Sequence, residues 1–123
     1  MISFDDLRIE EGIPIYLQIL LHVKRGIAAG RIRDGDALPS RRVVSAYLGV
    51  NPNTVQKAYR MLEEEGLIQS HSGAKSLMVV QEDTVQRVRR ELLEQELKKT
   101  VDAMKQMGLS REEALEWMET FWE

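Results

Sequence analysis

Apolar residues recur every three or four positions along most of this chain, and the breaks in that rhythm mark where its elements begin and end. Ile15, Ile19, Val23 and Ile27 follow one another at four-residue intervals, with Leu20 and Leu21 beside them. This predicts a helix with one apolar face, opening at Pro14 and ending near Gly30. Residues 1–13 ahead of it read as an extended arm. Asp34-Gly35-Asp36 signals a turn, after which Ser40 can cap a second helix that buries Val44, Tyr47 and Leu48 and stops at Gly49. Val50 is placed to fill the corner. Asn51 is a good N-cap with Pro52 in the first helical position, and Val55, Ala58, Tyr59 and Leu62 form the inward stripe of a third helix that ends at Gly66. Leu67-Ile68 then reads as a short strand, residues 69–75 as a turn and residues 76–80 as a returning strand.

The rhythm changes from about Glu82. Leu93, Leu97, Val101 and Met104 share one face of a long charged helix, which Gly108 interrupts. Ser110 followed by Glu113 forms a capping box. A short helix then carries Ala114, Trp117, Met118, Phe121 and Trp122. The predicted fold is therefore mainly α with a small β-hairpin: a winged helix-turn-helix over residues 1–80, and a C-terminal helical hairpin over residues 81–123 that serves dimerisation.

The chain has 123 residues and an apolar share of 43%, enough for one compact domain with an appendage and too much for disorder. Cysteine is absent, which excludes disulfides, thiolate metal sites and cysteine nucleophiles. No charge-free apolar run approaches the ~18 residues of a membrane span, and Asp5 and Asp6 stand where a secretory signal would be basic. The expectation is a soluble, cytoplasmic protein without membrane partners. The net charge of −3 divides unevenly, with +1 over residues 1–80 and −4 over residues 81–123. The first part can thus present a local basic face, and such a face binds DNA even on an acidic molecule. His22 and His71 are isolated, so no metal site is expected. No nucleophile–base spacing occurs, so neither catalysis nor a cofactor is expected.

Two short helices about a tight turn, the second opening with small polar side chains, suit an element whose N-terminal end enters the DNA major groove. Arg41 and Arg42 begin the second helix, where arginine can reach phosphate together with that helix's amide groups. Asn53, Thr54, Gln56 and Lys57 fall on the outward face of the third helix. Asn and Gln can pair bidentately with adenine, and Thr can meet phosphate or a thymine methyl. The same residues would also make an ordinary solvated helix face.

Residues 14–80 resemble the winged-helix domain of GntR-family bacterial transcription regulators. The matching residues are Pro14-Ile15-Tyr16 with Gln18, Gly35-Asp36, Leu38-Pro39-Ser40 with Arg42, Gly49-Val50, Asn53-Thr54-Val55, Lys57-Ala58, Leu62 and Glu65-Gly66-Leu67-Ile68. The short helical tail and the Asn51-Pro52-Asn53-Thr54 run resemble the YtrA subfamily in particular. The resemblance implies that Ser40, Arg41 and Arg42 contact DNA at the second helix, with Arg42 as a phosphate clamp. It implies that Asn51, Asn53, Thr54, Gln56 and Lys57 lie at the DNA-facing end of the third helix, and that Ser72, Gly73 and Lys75 bring the wing to DNA, Gly73 approaching the minor groove. It further implies a twofold homodimer on a near-palindromic operator, a repressor, and an ABC-transporter operon as the target class.

Two positions depart from the family pattern. Arg41 stands where a glutamate is usual, and Lys75 replaces the second glycine of the wing, where it adds a phosphate contact. Pro52 supplies no basic contact. About 43 residues follow residue 80, too few to enclose a drug-sized pocket in one subunit. Dimerisation through Leu93, Leu97, Val101, Met104, Trp117, Met118, Phe121 and Trp122 is the expected role, with a small-molecule inducer between subunits, as in a multidrug-sensing repressor, as the alternative. A winged helix used only as a protein-interaction adaptor is the other alternative. It would not need Arg42, Asn53, Thr54 and Gln56 all facing outward.

Overall fold

The computed structural model describes residues 1–71 and 75–123. Eight elements follow in order: α1 (Ile15–Ala28), β1 (Ala37–Leu38), α2 (Arg41–Leu48), α3 (Pro52–Glu64), β2 (Ile68–His71), β3 (Lys75–Met78), α4 (Glu82–Gln106) and α5 (Arg111–Phe121). Packing divides the chain into two compact units, Met1–Arg89 and Arg90–Glu123. None of the described helices is long and apolar enough to cross a membrane.

In the first unit the apolar faces of α1 and α3 supply most of the core. Ile19, Val23, Ile27, Val55, Ala58 and Leu62 are completely buried. At the far end of the α1–α3 pair, Lys24 Nζ meets a Glu65 carboxylate oxygen at 2.8 Å. The strands form one antiparallel sheet in the order β1-β3-β2. Ala37 stands opposite Leu77 and Leu38 opposite Ser76, while Ile68 pairs with Met78 and His71 with Lys75. The sheet thus holds a third strand beyond the expected hairpin. Two residues are too few to show alternation, and only their pairing partner reveals them. The hairpin strands also extend further into polar sequence than the expected turn over 69–75, because a strand with one wet face can carry Gln69 and Ser70 outward.

The expected turn at Asp34-Gly35-Asp36 is tied to the sheet. Gly35 N–H donates to the Met78 carbonyl and Met78 N–H to the Asp36 carbonyl, both at 2.8 Å. Asp34 Oδ1 accepts the Val80 N–H at 2.8 Å. Gly35 has φ +82°, a left-handed conformation that costs glycine least.

The arm over residues 1–13 is anchored to this unit. Ile2 and Phe4 are buried, and Ile2 N–H donates to the Ala37 carbonyl at 2.9 Å. Phe4 stacks on His22, whose Nε2–H donates to the Ser3 carbonyl at 2.8 Å. Gln18 clasps the end of the arm, accepting from Glu10 N–H and donating to the Glu10 and Ile13 carbonyls.

In the second unit α4 turns into α5 at Gly108, and Ser110 Oγ caps α5 by accepting the Glu113 N–H at 3.2 Å. No apolar side chain of this unit is fully buried.

Candidate nucleic-acid interface

The helix-turn-helix is built from two caps and one glycine. Ser40 Oγ accepts the Val43 N–H at 3.2 Å and starts α2. Gly49, at φ +68°, ends it and returns its N–H to the Ser45 carbonyl. A β-carbon there would be strained by the backbone angle, which is why glycine closes this corner. Ser45 Oγ then donates to the Val50 carbonyl at 2.6 Å, drawing the chain into α3. Half-buried Val50 fills the corner. Asn51 Oδ1 accepts the Asn53 N–H at 2.8 Å and caps α3. The Asn51 carbonyl oxygen of the side chain is therefore engaged, and its amide NH₂ is the part able to meet another molecule.

Successive residues of a helix turn by about 100°, so the buried stripe Val55, Ala58, Tyr59 and Leu62 turns Asn53, Gln56 and Lys57 away from the core. All three are exposed, and Thr54 at the edge of this face is half-buried. Arg60 extends the face. It is exposed and has no hydrogen-bond or ion-pair partner among the described residues. The sequence reading missed it, although its spacing of three from Lys57 and four from Gln56 would have placed it there.

The two arginines of α2 differ. Arg42 is exposed and unpartnered among the described residues. Arg41 is half-buried, with its guanidinium carbon 5.3 Å from the centroid of the Tyr59 ring and its Nε buried without a hydrogen-bond partner. Tyr59 itself is buried, and its hydroxyl donates to the Pro39 carbonyl at 2.6 Å. Burial pushes the Tyr59 phenol well above its ordinary range, with the Arg41 charge opposing. Arg41 and Tyr59 thus bolt α2 to α3 from within.

Tyr47 corrects the expected core. It is 59% exposed. Arg41, Val44, Ser45 and Leu48, at spacings of three and four, are the residues that turn inward, which rotates Tyr47 outward. Its hydroxyl donates to Asp5 Oδ1 at 2.5 Å, and that bond holds the Asp5 carboxyl below and the Tyr47 phenol above their usual ranges.

Lys75 opens β3 and is exposed. Ser72 and Gly73, the other expected wing contacts, lie outside the described residues.

On the second unit the expected apolar face is open. Leu93, Leu97 and Val101 are between 44% and 50% exposed, Trp117 50%, Phe121 74% and Trp122 84%. Met104 and Met118 are half-buried. Trp117 and Phe121 stack with centroids 5.8 Å apart, on one wall of an open apolar groove of about 470 Å³ that Met104, Met107, Leu109 and Met118 complete. Met107 and Leu109, either side of the Gly108 break, belong to no helix stripe, so periodicity did not single them out.

Comparison with known proteins agrees with this geometry. Residues 15–76 match the family described as bacterial regulatory proteins, gntR family. The chain is 32% identical to the HTH-type transcriptional regulator YhcF of Bacillus subtilis (strain 168), over 96% of this chain and 98% of that protein. It is also 32% identical to the HTH-type transcriptional repressor YtrA of the same organism, over 85% and 82% respectively. A solved structure of a GntR family transcriptional regulator from Listeria monocytogenes superposes with a TM-score of 0.82 at 27% identity, covering 91% of this chain and 98% of that one. The winged fold continues into a short helical tail, and relatives align along nearly its whole length. The chain therefore belongs to the GntR family, in the YtrA subfamily, and is a DNA-binding transcriptional regulator.

Proposed function

We propose that this regulator is a cytoplasmic repressor, acting without catalysis as a twofold homodimer that lays α3 of each subunit into one half-site of a near-palindromic operator. The observation that carries the reading is the face of α3: Asn53, Gln56 and Lys57 are exposed together, directly opposite the buried stripe. Ser40, Arg42 and Lys75 supply phosphate contacts around it, and Arg41 acts chiefly by holding α2 on α3. The similarity to the repressor YtrA supports repression, and the subfamily resemblance supports an ABC-transporter operon as target. The exposed apolar faces of α4 and α5 support dimerisation through the second unit, since aromatic residues and Met are favoured in interface cores.

Arg42→Ala is expected to weaken binding to every duplex alike, because a side chain that meets only phosphate carries no base information. The log–log salt dependence should flatten by roughly 0.9, the slope that one neutralised phosphate contributes. An unchanged slope would remove Arg42 from the interface.

Gln56→Ala is expected to relax base preference at one or two positions per half-site, at about 1–3 kcal/mol each for a bidentate contact. Binding is compared across single-base variants of a duplex enriched from a random pool by the wild-type protein. A uniform loss across all variants would assign Gln56 to the backbone.

A second reading has a specific observation behind it. The groove of about 470 Å³ beside Trp117 is within the range of small-molecule sites, so an inducer could occupy it. Saturable quenching of tryptophan fluorescence by a hydrophobic cation, coupled to release of DNA, would favour that reading.

A further inference from the structure

Tyr16 and Lys57 belong to different helices and meet at the surface of the α1–α3 pair. The Lys57 ammonium lies 3.9 Å from the centroid of the Tyr16 ring. Tyr16 is half-buried near the start of α1, and Lys57 is exposed on the outward face of α3. We propose that Tyr16 is a positioning residue for DNA binding, its ring holding the Lys57 ammonium in place as a phosphate clamp beside the base-reading side chains. This rests on the reading of α3 as the groove-entering helix.

The chemistry of the contact favours this role over a purely structural one. Lysine carries a long flexible stem, and fixing it at an interface costs conformational entropy. A ring face attracts the ammonium through its quadrupole and leaves the three N–H donors free. A carboxylate partner would do the opposite, because the ion pair would have to break before a phosphate could be met. Lys24, bound to Glu65 at 2.8 Å, shows that committed arrangement within the same helix pair. Arg41 over Tyr59 is a third case, in which the ring is buried and the guanidinium half-buried, so the contact serves the core. Among the described residues, the Lys57 pair alone combines an exposed cation with a place on the α3 outer face.

An exposed cation–π contact corresponds to about a two- to fivefold change in an equilibrium. The test is a double-mutant cycle with a duplex of about 30 base pairs enriched by the wild-type protein, long enough for two half-sites a helical turn apart. Tyr16→Leu should bind two to five times more weakly with its salt slope unchanged, since Lys57 still reaches phosphate but is no longer held there. Tyr16→Phe, which keeps the ring, should match the wild type. Lys57→Gln should flatten the slope by roughly 0.9. Tyr16→Leu should then weaken Lys57→Gln no further. Without DNA, the Lys57 side-chain methylene protons should show upfield ring-current shifts that persist in Tyr16→Phe and vanish in Tyr16→Leu, with thermal unfolding confirming that each variant is folded. Additive effects in the double mutant would overturn the proposal, as would a Tyr16→Phe defect equal to that of Tyr16→Leu, which would make the hydroxyl the contact. A Lys57→Gln slope equal to that of wild type would also overturn it while leaving the DNA-binding reading intact. Failure of the wild-type protein to enrich or bind any duplex would instead remove the reading on which it rests.

Discussion

Replacing Trp117 and Phe121 together by alanine is expected to raise the dimer dissociation constant by about 30-fold or more, corresponding to at least ~2 kcal/mol for a pair of central anchors. Both side chains are at least half exposed, and they stack on each other with centroids 5.8 Å apart. The unit formed by residues 90–123 buries none of its large apolar side chains completely. Two helices alone cannot remove that surface from water, whereas a second copy can supply the missing layer. Operator affinity should fall in parallel, because each subunit reads one half-site. Sedimentation velocity over a dilution series measures the change. A double mutant that remains a tight dimer but no longer responds to a hydrophobic cation would assign the pair to a ligand groove instead.

Tyr59→Ala is expected to destabilise the first unit by about 3–5 kcal/mol, the range for deleting a buried aromatic side chain. Tyr59 is 1% exposed, and its ring supports the Arg41 guanidinium while its hydroxyl satisfies the Pro39 carbonyl. Tyr59→Phe keeps the ring and removes only the hydrogen bond, so it should cost about 1–3 kcal/mol by leaving a buried acceptor unmet. Urea midpoints at fixed protein concentration give both values. The phenol adds a pH signature. Burial raises its folded pKa above the ordinary value of 10.0, so its contribution is fully present below that pH and is lost as pH rises toward the higher folded value. Tyr59→Phe should lack this alkaline loss. A Tyr59→Ala midpoint close to wild type would mean that α2 and α3 are held together elsewhere.

The order of helices and the position of the wing could be read from apolar periodicity because each helix has a single buried stripe and a capping residue at its start. The errors came from one helix and one arm. On α2, Val44 and Leu48 admit two neighbouring choices of inward face, one including Tyr47 and the other including Arg41 and Ser45. Apolarity favours the first. The second is realised because Ser45 must reach the Val50 carbonyl to close the turn, and because the Arg41 guanidinium finds the Tyr59 ring. An arginine on an inner face carries no apolar signal, so only the three-dimensional partner reveals it. In the arm, Ile2 and Phe4 alternate like strand residues, but two positions are too few for a pattern, and their burial depends on His22 and Ala37 far along the chain. The polar face of α3 was legible from its helical spacing alone. The Tyr16–Lys57 contact was not, because it joins two helices.

The central claim, that α3 of a symmetric pair enters two half-sites on DNA, is tested most directly by hydroxyl-radical footprinting of the wild-type protein on an enriched duplex. The expected result is two protected patches related by a twofold axis and centred about one helical turn or a multiple of it apart, with protection at both abolished in Trp117→Ala/Phe121→Ala at protein concentrations that saturate the wild type. A single unpaired patch, or no protection at any concentration of folded protein, would contradict it.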